Sequence, residues 1–262
     1  MKVLNIFVLI MIAWLFNSCS YLDESERFID VNLASAKRAV LIEDFTGQRC
    51  VNCPDASLEI EKLQQQYGEE NIIAVSIHSG PLAVWPTKQT TGLRTELGDT
   101  YYDYWKVEME PAALINRKSG VLTQSKWMAS VYDELQIQTP VELQATCSLM
   151  ESGDISVTVV SLALEPIKGK LQIWLVEDGI VAPQMMPDGT LDSQYIHQHV
   201  LRAAMNGTWG EDIKWEAGES NNYQFSDSPL AEWNIRQMSV VAFIYNDEGV
   251  LQVVKRKIIS NN

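Results

Sequence analysis

The chain has 262 residues, 46% of them hydrophobic and 21% charged, with 14 Gly and 9 Pro, a balance that excludes disordered, collagen-like and low-complexity classes. Its 20 Lys+Arg against 34 Asp+Glu give a formal charge of -14. That surface repels a phosphate backbone, no basic stripe offsets it, and a nucleic-acid partner is not expected. At about 100 to 200 residues per domain, the length predicts two domains, each large enough to bury a core without a disulfide framework.

Lys2 precedes an apolar run from Val3 to Phe16, broken only by Asn5. The run is shorter than the about 20 residues of a spanning helix and stops at Asn17-Ser18, so residues 1–18 read as an export signal. Leu15-Phe16-Asn17-Ser18-Cys19 resembles a bacterial lipobox, which implies cleavage before Cys19 and a lipid on its thiol. Phe16 and Asn17 are bulkier than the usual residues there, and the alternative is an ordinary signal cut near Ser18. Residues 19–37 begin polar and acidic with no sustained periodicity, as a tether between membrane and fold would.

From Arg38 the pattern changes. Ala39-Val40-Leu41-Ile42 is a buried-strand run leading into Glu43-Asp44-Phe45, followed by the turn Thr46-Gly47-Gln48-Arg49 and by Cys50-Val51-Asn52-Cys53-Pro54. Ala56, Ile60, Leu63 and Tyr67 recur at helical spacing with Gly68 as a stop, predicting a helix over 54–67, and Ile72 to Ile77 reads as a second buried strand. A cysteine at a helix N-terminus faces unpaired N–H groups and the positive end of the macrodipole, both of which favour thiolate. Cys50 is therefore placed as a nucleophile, and Cys53, across the two intervening residues Val51-Asn52, as the group that resolves a mixed disulfide. Two other uses of the spacing stand beside this one. Zinc would want four ligands, and no second CxxC or close Cys/His pair exists, so no metal and no cofactor are expected. A permanent staple in an oxidising compartment is the other, although a link across so few residues removes little chain entropy.

These residues resemble the thioredoxin-like fold. Asp44, six residues before Cys50, and Phe45 after it stand where thioredoxins carry a buried acid and a phenylalanine. Glu110-Pro111-Ala112-Ala113-Leu114-Ile115 looks like their cis-proline and third strand, Gly120 with Val121-Leu122 like the turn and fourth strand, and Trp127, Val131 and Leu135 like one face of the final helix. The resemblance covers residues 38–138 and implies that Asp44 moves a proton and that Pro111 shapes the surface where an extended substrate docks. If the cysteines turn over, the isolated 38–138 segment is expected to trap mixed disulfides by itself. Arg49, Val51-Asn52 and Glu110 depart from the pattern. The bland readings are a solvated strand end for Asp44 and an ordinary trans turn for Pro111. Trp85, Pro86, Tyr101, Tyr102, Tyr104 and Trp105, in a segment partly helical from about Leu93, read as core in preference to the wall of a substrate groove near the cysteines.

Residues 139–262 read as all-β. Val141, Leu143, Ala145, Cys147 and Leu149 alternate with polar residues, and runs at 154–164, 170–177, 221–226, 236–245 and 250–259 are separated by turn signals such as Lys168-Gly169 and Asp178-Gly179. The expected architecture is an α/β thioredoxin-like domain followed by a β-sandwich of immunoglobulin-like proportions. Cys147 falls on the apolar face, as a buried hydrophobe. His197 and His199 would share one strand face without a third ligand, and His78 reads as structural.

Tyr195-Ile196-His197-Gln198-His199-Val200-Leu201-Arg202 and Asn206-Gly207-Thr208-Trp209-Gly210, with Phe45 to Cys50 and Cys53-Pro54, resemble the outer membrane protein Omp twenty-eight-related lipoproteins of the Bacteroidetes. The resemblance implies an outer-membrane location and supplies no substrate. Two functions stand open: a tethered thiol–disulfide oxidoreductase acting on protein thiols or disulfides of the cell envelope, and a binding or adhesion lipoprotein whose disulfide is a clasp.

Overall fold

The first strand, β1 (Val40–Thr46), and its parallel neighbour β2 (Ile72–His78) are buried at every position. A strand covered on both faces has no solvent side, which is why each reads as a continuous run and not as an alternation. This computed structural model describes residues 37–260, so the expected signal 1–18, Cys19 and the tether up to residue 36 lie outside it. Between the strands runs α1 (Cys53–Tyr67), with Pro54 in its first turn and Gly68 at φ 93° after its last residue. Next come α2 (Glu96–Trp105), capped by the Thr95 side chain accepting from Gly98 N–H, then β3 (Ala112–Ile115), β4 (Leu122–Thr123) and α3 (Trp127–Leu135).

The remaining residues form β5 (Val141–Leu149), β6 (Ile155–Ala163), β7 (Ile167–Glu177), four two-residue strands β8 (Ile180–Val181), β9 (Gln184–Met185), β10 (Leu191–Asp192) and β11 (Ile196–His197), then β12 (Val200–Ala204), β13 (Glu211–Trp215), β14 (Ser220–Asp227), β15 (Met238–Asn246), β16 (Gly249–Lys257) and β17 (Ile259–Ser260). A nine-stranded mixed sheet runs β16-β15-β7-β12-β2-β1-β3-β4, with β13 paired to β7, and a second sheet runs β14-β6-β5-β17. The division expected at 138/139 does not separate two sheets. Strands from both segments join where β12 pairs parallel to β2, Val200 opposite Ser76, and Ser76 N–H donates to the His199 carbonyl at 2.8 Å. All described residues fall in one compact unit.

Alternation along the strands sorts three cores. Val40, Ile42, Ala113 and Ile115 pack under α1 and α3, against Ala56, Ile60 and Trp127. Leu41, Phe45, Val75 and Leu114 face the other way, in one cluster with Tyr101 of α2 and with Trp174, Phe243 and Val250. Beyond the join, Ile173, Leu175, Val240 and Ala242 pack on Leu143, Ala145, Val157 and Val159 of the second sheet. Cys147 lies in that cluster as a free, buried thiol, pushed up to about 11 by burial. The segments are also tied at β16. Val250 N–H donates to the Asn116 carbonyl at 2.8 Å, Arg38 donates to the Val250 carbonyl, and Gly249, at φ 118°, sits where a Cβ would meet the Asn116 oxygen at 2.4 Å.

Candidate functional site

Gly47 to Cys50 turn back on themselves, with Cys50 N–H donating to the Gly47 carbonyl at 2.9 Å, and the turn delivers Cys50 to the start of α1. Cys50 and Cys53 are joined in a disulfide, each 2% exposed, while Arg49, Val51 and Asn52 between and before them face solvent.

Asp44 is 1% exposed, and its Oδ1 has no hydrogen-bond partner among the described residues. The solvated strand end is therefore overturned. Position 44 shares a strand face with Val40 and Ile42, beneath α1, and burial pushes its carboxyl up to about 7. Glu110 comes from the loop before β3, and its peptide bond to Pro111 is cis, so the ordinary trans turn is overturned as well. The Glu110 carboxylate and the two sulfurs lie within 4.8 Å of one another. Both Glu110 oxygens are buried without a partner among the described residues, and burial first, then the charge of Asp44, pushes this carboxyl up to about 8. The disulfide thus has the Glu110 carboxyl beside it, and Glu110 in turn feels the buried Asp44, both carboxyls titrating in the neutral range. With the sulfurs bonded to each other they are not thiolate ligands.

A segment from the C-terminal half covers this turn. Gln184 of β9 donates from Nε2 to the Cys50 carbonyl at 2.9 Å, and Met185 N–H donates to the Gln48 carbonyl at 2.8 Å. Beneath the segment lies a cavity of about 40 Å³ lined by Cys53, Tyr195 and all three histidines of the chain. His197 and His199 do not share a strand face. β11 ends at His197, and His199 adopts φ 58°, which breaks the alternation the sequence reading relied on. His197 instead stacks edge-on to His78, ring centroids 5.1 Å apart, with its Nε2 3.3 Å from the Ala182 carbonyl, and burial lowers it to about 4. Burial first, then the His197 ring, also lowers His78 well below the ordinary histidine range. His199 is held by Asp178 at 2.8 Å and Lys255 at 3.1 Å. Gln184 and Tyr195 carried no signal in the sequence as neighbours of the cysteines, because only the chain's long-range return places them there.

The aromatic segment divides. Tyr101 is fully buried, while Trp85 and Tyr104 are 43% and 61% exposed, so the expectation of core holds for the first and fails for the other two.

A mixed-sheet, β-rich fold bearing a buried CxxC disulfide with a buried carboxyl beside it is the class of protein that these features define. Residues 98–262 match the outer membrane protein Omp28 family, and the chain belongs to that family. The matched span holds Glu110-Pro111 and the His197 segment, and the CxxC precedes it. Among solved structures, HBP35 of Porphyromonas gingivalis is similar in fold, with a TM-score of 0.64 at 17% identity over 86% of this chain and 76% of that one. A domain of the outer membrane lipoprotein Omp28 from the same organism aligns at 26% identity over 47% of this chain and 92% of that one, with a TM-score of 0.33. No curated protein matches. Among the described residues no helix is long and apolar enough to cross a membrane.

Proposed function

We propose that the chain is a thiol–disulfide oxidoreductase of the cell envelope, anchored through a lipid on Cys19. The observation that carries this reading is the Cys50–Cys53 disulfide at the start of α1 with Asp44 buried below and Glu110 within 4.8 Å of both sulfurs. Staples need no proton acceptors. A carboxyl beside the sulfurs and a second one coupled to it, both raised into the neutral range, suit a reaction in which thiols gain and lose protons. The order β2-β1-β3-β4, with α1 and α3 on one face and α2 on the other, supports a thioredoxin-like unit within the larger sheet.

In the reduced protein the Cys50 thiolate attacks a substrate disulfide. A Cys50–substrate bond forms, the substrate S–S breaks, and the departing thiolate takes a proton. The ionised form of Asp44, present near neutral pH because the group titrates at about 7, then accepts the Cys53 proton, and the Cys53 sulfur attacks Cys50, closing the observed disulfide and releasing the second substrate thiol. Two electrons pass from the cysteine pair to the substrate, and the reverse sequence oxidises a substrate dithiol. Pro111, next to Glu110, borders the surface where an extended chain would lie.

The clasp reading has one observation of its own: both sulfurs are 2% exposed and the Gln184 segment lies over them. Trapping separates the two. In native envelopes Cys53→Ala is expected to accumulate mixed disulfides that vanish on non-reducing gels when Cys50→Ala is added, and in the same preparations Cys19→Ala is expected to move the chain into the soluble fraction. Absence of adducts at native abundance would favour the clasp, and unchanged membrane partition would remove the Cys19 anchor.

A further inference from the structure

Away from the cysteines, a cleft of about 710 Å³ lies where the end of α2 meets β7, β13 and the β15–β16 turn. Tyr104, Trp105, Trp209 and Tyr245 supply aromatic surface, and Arg117, Lys168, Lys170, Asp212 and Asp247 supply charge. Its size falls within the range of small-molecule sites. Two donors inside it lack partners among the described residues: Arg117 Nη1, on a side chain 3% exposed, and Trp105 Nε1. The rest of the Arg117 fork is fixed, Nε and Nη2 donating to Glu43 at 2.6 and 2.9 Å, and the guanidinium lies 4.4 Å from the Tyr245 ring centroid. That side chain is held rigidly and stiffens the floor of the cleft. Tyr104, exposed, stands 4.3 Å from Trp209 between ring centroids.

The lining chooses among ligand classes. An anion would meet Asp212 and Asp247; a cation would meet Lys168, Lys170 and Arg117. A purely apolar ligand would strip water from the exposed charges of Lys168, Asp212 and Asp247 and return nothing to them. What fits is a neutral molecule with a flat, weakly apolar face for the rings and many hydroxyls, which accept from Lys168 and donate to Asp247 and to Asp212, itself paired with Lys170 at 2.7 Å. We infer that this cleft binds a saccharide, one or more pyranose rings lying with their C–H faces on Tyr104 and Trp209. The inference is independent of the redox reading, because none of these residues touches the disulfide site.

Isothermal titration of the full chain in detergent with hexaoses of α- and β-linked glucose, xylose, mannose and galactose tests it. Saturable binding of at least one hexaose is expected, weakened tenfold or more by Tyr104→Ala and threefold or more by Asp247→Ala, which deletes an exposed acceptor of the lining. Tyr104 is exposed, so its truncation leaves the core intact. No saturable binding across the series, or binding unchanged in both variants, would overturn the assignment. So would equal binding of acidic or basic oligopeptides.

Discussion

Asp44 and Glu110 are carboxyls whose folded-state values, about 7 and about 8, stand above the ordinary range. The folded protein therefore keeps protons that the unfolded chain has released. With that sign, stability referred to these groups is fully present below about pH 4 and is lost as pH rises through 7 to 8. Asp44→Asn removes the ionisation while keeping the shape. It is expected to stabilise the oxidised protein relative to the wild type by roughly 1–4 kcal/mol at pH 8 and by much less at pH 5, read from urea midpoints at the two pH values. Parallel pH dependence in the two proteins would return Asp44 to an ordinary, solvated carboxylate. The sequence placed this acid at the right offset from Cys50, yet its burial depends on α1 folding back over β1, which no local pattern records. Glu110 was legible only as an oddity before Pro111, because its nearness to the sulfurs is made by the return of a loop some sixty residues away.

At the scale of elements, α1, β1 and β2 were legible to within a residue or two. Their signals are local: Pro54 and Gly68 bound a 3.6-residue period, and continuous apolar runs mark strands covered on both faces. The stretch from Ile180 to His199 was not legible, since strands of two residues have no period and His199 at φ 58° inverts the face that simple alternation assigns. That stretch holds the cysteine turn through Gln184, whose amide also reaches the Gly47 carbonyl at 3.4 Å. Gln184→Ala deletes those bonds without touching the sulfurs. Reduction of Cys50–Cys53 by dithiothreitol, followed by thiol alkylation, is expected to run several-fold faster in the variant, at a stability cost of about 1 kcal/mol. An unchanged rate would show that the segment does not control access.

For the molecule as a whole, the length suggested two domains, and the sheet shows why that count misleads: a length prior carries no information about which strand edges pair. β2 has β1 on one side and β12 on the other, and the face of β1–β3 opposite α1 is closed by Tyr101 together with Trp174, Val176, Val241 and Phe243 from the C-terminal half. Cutting after residue 138 would bare that apolar face, free the β2 edge, and leave Arg117 with Glu43 but without the Trp174, Phe243 and Tyr245 rings that cover it. Arg38 would lose the Val250 carbonyl, and Asn116 the Val250 N–H. Exposed apolar surface of that kind, at about 25 cal/mol per Å², outweighs the few kcal/mol by which domains are usually stable. The 38–138 segment, expected from sequence to work alone, is instead expected to be unfolded or aggregated when expressed by itself, without the dispersed amide spectrum of a folded domain. The full chain in detergent is expected to lose far-ultraviolet dichroism and tryptophan fluorescence in one coincident urea transition, since Trp127 opens α3 in the core under α1 and Trp174 lies across the join. Two separated transitions, or a folded 38–138 fragment that traps the same mixed disulfides as the full chain, would show that the two halves are independent after all.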